Sequence, residues 1–171
     1  MPAVPAFAPW PTPAALAAAW EATATPSQLA AQAPYQEAII AWLTAFHLAT
    51  TSPPPHPGNL DMADAATVMR EAAAIRAARA STAGPTRAAA AVQQLRAALP
   101  PAVGSQPARR ALLFITSSPA TPLEMDELSE ITETIHTTLL HDNGEMIFGH
   151  DEHAIATGGD LHVWLLLGYQ A

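Results

Sequence analysis

The chain has 171 residues, enough for one domain of ordinary size and a tail. Its formal charge is −8 with only 7 Lys and Arg, so it repels phosphate groups, and we expect neither nucleic acid nor a membrane surface as a partner. It has no cysteine, which excludes disulfides and thiolate metal sites. Without a signal-peptide pattern or an apolar run of roughly 18 residues, a cytoplasmic protein is expected.

The first third of the chain divides into a tail and a long helix. Residues 1–33 are dominated by Ala and Pro, and we expect them to be mostly disordered, with one possible short helix at 14–24. Residues 34–55 are expected to hold one helix, which a cluster of prolines ends. Because its large residues, Trp42 and Phe46 among them, crowd more than one face, this helix is either largely buried or part of an interface.

The rest of the chain alternates helices with strands, which predicts a sheet with helices packed on it. In the segment Asn59–Arg70, Asp61 can cap a helix and Asp64 lies in its first turn. Local pattern alone would continue this helix through Ala80, because alanine is the best helix former. The other predicted elements are a helix at Thr86–Leu99, a strand at Arg110–Thr116, a helix from a capping box at Thr121–Glu124 to Leu140, a turn at His141–Gly144, and strands at Glu145–Gly149 and Leu161–Leu167.

Four segments in this order resemble the C-terminal domain of FtsZ, the bacterial cell-division GTPase of the tubulin/FtsZ superfamily. Asn59-Leu-Asp-Met-Ala-Asp64 is similar to the family's synergy loop, and Thr67-Val-Met69 follows it as in the family. Further on, Arg110–Pro119 and Met146-Ile-Phe-Gly149 are similar to two strands of that domain. The resemblance covers about two-thirds of the chain, and residues 34–55 fall where the family has its central helix.

The resemblance implies an α+β fold for residues 56–171: a two-layer sandwich with a four-stranded mixed sheet and flanking helices. It also implies a strand at Ala73–Ala80, where local pattern favours a helix. The family's glycine-rich phosphate loop is absent from the sequence. Since phosphate binding needs several converging backbone N–H groups, we expect no GTP binding, no cofactor and no enzymatic activity in this chain alone.

The resemblance assigns Asn59, Asp61 and Asp64 to contact with the nucleotide of another subunit. In such filaments the carboxylates position water and a cation beside the terminal phosphate, as phosphoryl transfer requires. Spacing alone favours the simpler interpretation that Asp61 and Asp64 stabilise a helix N-terminus. The segment also lacks two residues that the family has between Gly58 and Asn59.

Two further groups allow chemistry, and each has a simpler structural explanation. The residues His150–His153 could hold a divalent metal but are typical of a solvated loop, so no metal is expected. Ser117 and Ser118 would need a base such as His136 to act as nucleophiles, and a polar loop explains them as well.

The function that we expect from these features is protein–protein contact. The partner would be an FtsZ-type protein or a second copy, and the chain would cap filaments or modulate their polymerisation. In this interpretation Trp42 and Phe46 either form an interface or pack on the chain's own sheet. The alternative is a structural or oligomerising module with this fold and no role in division.

Overall fold

The computed structural model describes residues 12–51, 60–100, 106–152 and 160–170. The elements, in chain order, are α1 (Pro13–Glu21), α2 (Pro26–Gln32), a 3-10 turn (Ala33–Tyr35), α3 (Gln36–Thr51), α4 (Met62–Met69), β1 (Ala74–Thr82), α5 (Arg87–Ala98), β2 (Ala108–Ser117), α6 (Met125–Leu139), β3 (Leu140–Glu152) and β4 (Leu161–Tyr169). Within these ranges no helix has the length and apolar character that a bilayer crossing requires.

The four strands form one mixed sheet in the order β1-β4-β2-β3. Strand β4 pairs antiparallel with both β1 and β2, whereas β2 and β3 are parallel and α6 connects them. The central strands β2 and β4 are buried on both faces, which explains their nearly continuous apolar sequences. The predicted α+β class and four-stranded mixed sheet are confirmed.

Helices cover both faces of the sheet. On one face α5 and α6 pack against alternate strand residues, among them Leu113, Ile115 and Leu165. On the other face α1, α3 and α4 pack against the intervening residues, among them Leu112, Phe114 and Leu166. The expected sandwich is therefore the sheet with α5 and α6, and the preceding helices add a third layer.

The expectation of a disordered tail is wrong for residues 12–33, and residues 1–11 lie outside the described residues. Thr12 and Thr25 each act as an N-cap, and a proline in the first helical turn follows each of them. Trp20 is 5% exposed and its indole Nε1–H donates to the carbonyl of Ala72 at 2.8 Å. Prolines therefore start these short helices, and burial of Trp20 against α3 and α4 stabilises them.

The alanine-rich segment at 73–80 is a strand, as the resemblance implies and against its helical propensity. It pairs with β4 along its whole length. Its outer edge is covered by side chains: Gln32 accepts from the backbone N–H of Ile75 and donates to its carbonyl, both at 3.0 Å. Small alanine side chains let helices lie close to this edge strand, so tertiary contacts override propensity.

The helix α6 begins later than predicted. Its N-cap is Glu124 instead of Thr121, and Glu124 forms a capping box with Glu127. Arg87 forms an ion pair with Glu127 at 2.7 Å and also donates to the carbonyls of Thr121 and Pro122. Those two residues are therefore tied to α5 through Arg87, and the loop before α6 stays outside the helix.

The predicted turn at His141–Gly144 is part of the long strand β3. Its register against β2 shifts there: Ala108 pairs with Leu140, and Arg110 pairs with Glu145. Four residues of β3 thus bulge opposite a single residue of β2, and the Asn143 N–H donates to His141 Nδ1 at 3.2 Å. The turn-forming residues produce a bulge because the parallel pairing resumes immediately after them.

Candidate functional site

The two predicted synergy-loop carboxylates lie together at the N-terminus of α4. Asp61 Oδ1 accepts from the backbone N–H of Ala63 at 2.7 Å and of Asp64 at 3.3 Å, and Asp64 Oδ2 accepts from the Asp61 N–H at 2.8 Å. This reciprocal capping box confirms the predicted structural role of both residues. Asn59, the third residue of the predicted site, lies outside the described residues.

Both carboxylates are half-buried, and each uses only one oxygen in the capping box. Asp61 Oδ2 and Asp64 Oδ1 accept no hydrogen bond from any described residue. The positive end of the α4 dipole favours negative charge at this point. The cap therefore fixes both carboxylates in place, and it leaves the second oxygen of each without a hydrogen bond from the described residues.

The residues flanking Asp61 anchor this end of α4 to the core. Met62 is 1% exposed and packs in the cluster with α3 and the sheet. Leu60 is also buried, and a Cβ atom added at Gly149 on β3 would meet Leu60 Cγ at 2.8 Å. The glycine of the Met-Ile-Phe-Gly segment thus makes room for the residue before Asp61, a contact that the sequence did not indicate.

Trp42 and Phe46 are core residues, so the interpretation of them as a partner interface is wrong. They are 6% and 0% exposed. Trp42 stacks on Phe46 and meets Trp164 edge-on, and Phe46 meets Phe114 in the same way. The indole of Trp42 also donates to the carbonyl of Ala78 at 3.0 Å. The central helix therefore packs its aromatic side chains onto the chain's own sheet.

A serine and a histidine meet at the end of β2, where Ser117 is buried and His150 is half-buried. Ser117 Oγ lies 2.9 Å from His150 Nε2 and accepts from the Leu123 N–H at 3.2 Å. Burial lowers the pKa of His150, which favours the neutral imidazole, and the tautomer decides which of the two atoms donates. Ser117 is fully buried, whereas the base considered from sequence, His136, is exposed. This pair joins the strands β2 and β3.

The described residues contain no group of three His, Cys, Asp or Glu side chains that could hold a metal ion. Asp151 and Glu152 end β3, and His153 lies outside the described residues. The possible metal site at His150–His153 therefore has no support from the described part of the chain.

Solved structures identify the architecture. An FtsZ dimer from M. jannaschii matches 78% of this chain with a TM-score of 0.57 and 21% sequence identity. CetZ from Methanosaeta thermophila matches 81% with a TM-score of 0.55 and 19% identity. The chain has an FtsZ-like fold. A GTPγS-form protofilament of TubZ from Bacillus thuringiensis serovar israelensis also matches 78% of it, with a TM-score of 0.53 and 10% identity.

The match is confined to part of each of these proteins. The chain spans 37% of the M. jannaschii FtsZ, 38% of the CetZ and 36% of the TubZ. No protein-family model matches the sequence. No curated protein matches it either. The architecture is the four-stranded mixed sheet with flanking helices of the FtsZ C-terminal domain.

Proposed function

We propose that this chain is a non-enzymatic FtsZ-like protein that binds or caps FtsZ-type filaments through Asn59, Asp61 and Asp64. It would thereby modulate their polymerisation or GTP hydrolysis in trans. The observation that carries this proposal is the pair of Asp61 and Asp64 carboxylates, fixed at the start of α4 within a tubulin/FtsZ fold. Proteins of this fold associate, since the matched structures include an FtsZ dimer and a TubZ protofilament.

The geometry of the capping box suits a role in a partner's nucleotide site. Each carboxylate is held through one oxygen, so its orientation is set before a partner arrives. Catalysis of phosphoryl transfer depends mainly on positioning and on electrostatic stabilisation. Two fixed carboxylates could position a water molecule and a cation beside a nucleotide that the partner binds. The sequence of this chain contains no phosphate loop of its own.

One observation favours the alternative, a structural or oligomerising module with no role in division. Strand β3 is at the edge of the sheet, and its residue Phe148 is 52% exposed. An edge strand with an exposed aromatic side chain can pair with another chain. In this alternative the contact surface is the edge of β3, and not the helix α3.

The test is an assembly assay with a complete FtsZ-type protein from the same organism. Sedimentation and light scattering would follow its polymerisation with GTP while this chain is added in substoichiometric amounts. We expect shorter filaments or slower growth, because a capped end lacks the surface that the next subunit needs. Unchanged assembly at an equimolar ratio would contradict the proposal and favour the structural alternative.

The variant that tests the carboxylates must keep the helix cap. Asp61→Asn with Asp64→Asn removes both charges and retains side-chain oxygens that can accept the same backbone hydrogen bonds. We expect this double variant to bind the partner but to change its GTP turnover. Glu130→Gln with Glu133→Gln on the exposed side of α6 is the control with the same change in charge. Equal GTP turnover with both double variants would exclude a role of the carboxylates.

A further inference from the structure

A cavity of about 420 Å³ lies between α1, the start of α2 and the end of α4. Its volume is within the range of about 300–1,000 Å³ that is usual for small-molecule sites. The walls are mostly apolar and come from Leu16, Ala19, Trp20, Ala66, Met69 and Ala72. Asp61 caps the opposite end of α4, so this cavity is separate from the proposed filament contact.

The rim of the cavity carries a cation, Arg70, that has no counterion among the described residues. Arg70 is exposed, and its guanidinium makes no hydrogen bond or ion pair with any described residue, although its backbone carbonyl accepts from Arg110. Gln28 is half-buried beside it and uses Oε1 to accept from the Thr25 N–H. The Nε2 amide group of Gln28 has no hydrogen-bond partner among the described residues. The rim therefore offers two sets of donors to an acceptor.

The turn that carries Arg70 is fixed in shape. The next residue, Glu71, has φ of 62°, a left-handed conformation that is unfavourable for residues other than glycine. Three hydrogen bonds hold it: Ala72 N–H to the Met69 carbonyl, Trp20 Nε1–H to the Ala72 carbonyl, and Ala73 N–H to the Tyr169 carbonyl. The backbone that carries Arg70 and the Trp20 wall thus keep a constant spacing, which favours a preformed site.

We propose that this cavity binds a small amphiphilic monoanion. Its apolar or aromatic body would lie against Trp20 and Met69, and its carboxylate or sulfonate would accept from the Arg70 guanidinium and the Gln28 amide. Charge complementarity selects this class, because a guanidinium without a counterion among the described residues lies at the opening of a mostly apolar cavity. The carboxylate of Glu71 on the same rim limits the ligand to a single negative charge. This site is independent of filament binding.

Two fluorescent probes with the same ring system test this proposal. One is 1-anilinonaphthalene-8-sulfonate, and the other is N-phenyl-1-naphthylamine, which lacks the sulfonate. We expect both to bind the wild-type chain saturably at one site, with the sulfonate binding more tightly. Arg70→Gln should weaken sulfonate binding about fivefold, the effect of one partly exposed charge pair, and leave the neutral probe unchanged.

Two further variants make the test specific. Arg96→Gln also removes one positive charge, on the exposed side of α5, and should leave the affinities for both probes unchanged. Ala19→Leu adds volume to the cavity wall from an exposed helical position and should weaken both probes. The proposal is overturned if Arg70→Gln weakens the sulfonate no more than Arg96→Gln does. It is also overturned if neither probe reaches saturation on the wild-type chain, because unsaturable binding is typical of partly unfolded protein.

Discussion

Replacing Trp20 tests whether the Ala/Pro-rich segment is an integral part of this fold. Trp20 is the largest side chain that α1 buries, and Leu16 on the same face of α1 is buried with it. Its indole N–H donates at 2.8 Å to the carbonyl of Ala72, in the turn that leads into β1. Trp20→Ala therefore removes a buried aromatic ring and leaves a carbonyl without its partner.

The magnitude follows from burial and from the hydrogen bond. A buried tryptophan removes about 200 Å² from water, which corresponds to roughly 5 kcal/mol at about 25 cal/mol per Å². Residual structure in the unfolded chain reduces such values by about 10–40%, to roughly 3–4.5 kcal/mol. Trp20→Phe retains most of the ring and loses the hydrogen bond, so we expect a smaller loss of about 1–2 kcal/mol.

Urea denaturation followed by far-ultraviolet circular dichroism measures these losses without relying on tryptophan fluorescence. Leu29→Ala is the matched control, because Leu29 lies on the neighbouring helix α2 with 37% of its surface exposed, and its loss should stay below about 0.5 kcal/mol. If Trp20→Ala costs no more than Leu29→Ala, then α1 does not contribute to the cooperative unit. Amide hydrogen exchange in β1 that is the same in Trp20→Ala as in wild type would lead to the same conclusion.

Two further predictions concern the ion pair of α5 with α6 and the packing of α4 on the sheet. Arg87 lowers the pKa of Glu127 by hydrogen bonding, so this pair stabilises the fold above the usual carboxyl pKa and loses its effect as the pH falls through the lowered value. Glu127→Gln should lower the free energy of unfolding by about 1–2 kcal/mol at pH 7. In chemical denaturation, this difference from wild type should shrink below about pH 4.5. A difference that does not depend on pH would refute this prediction. Gly168→Ala should cost about 1–3 kcal/mol, because the added methyl group would clash with the backbone carbonyl of Val68. Gly149→Ala, whose methyl group meets only a leucine side chain, should cost less, and thermal unfolding that ranks the two in the reverse order would contradict this packing.

Several elements could be predicted from local sequence because local interactions decide them. The helix α4 starts where Asp61 can cap it, and the strands β2 and β4 lie at continuous apolar runs. The strand β1 could not be found in this way. Its alanines favour a helix locally, and only pairing with β4 makes the segment extended.

The candidate site was predictable in part for the same reason. Residue types and spacing identified Asp61 and Asp64 as a helix cap, and the structure has that capping box. The fate of Trp42 and Phe46 was not predictable, since an amphipathic helix has the same pattern whether its apolar face meets its own sheet or a partner. The cavity beside Arg70 had no sequence signal, because α1 and α4 that form it are about 50 residues apart in the chain.

The sequence by itself determined what depends on neighbouring residues: the cap of α4, the apolar strands, the lack of cysteine and the acidic charge. The tertiary structure decided what depends on contacts between distant segments. It placed Trp20 on the turn before β1, turned an alanine-rich run into a strand, and moved the start of α6 to Glu124 through the contacts of Arg87. The physical reason is that each local preference amounts to about 1 kcal/mol or less per residue, whereas burial of one large side chain contributes several times more.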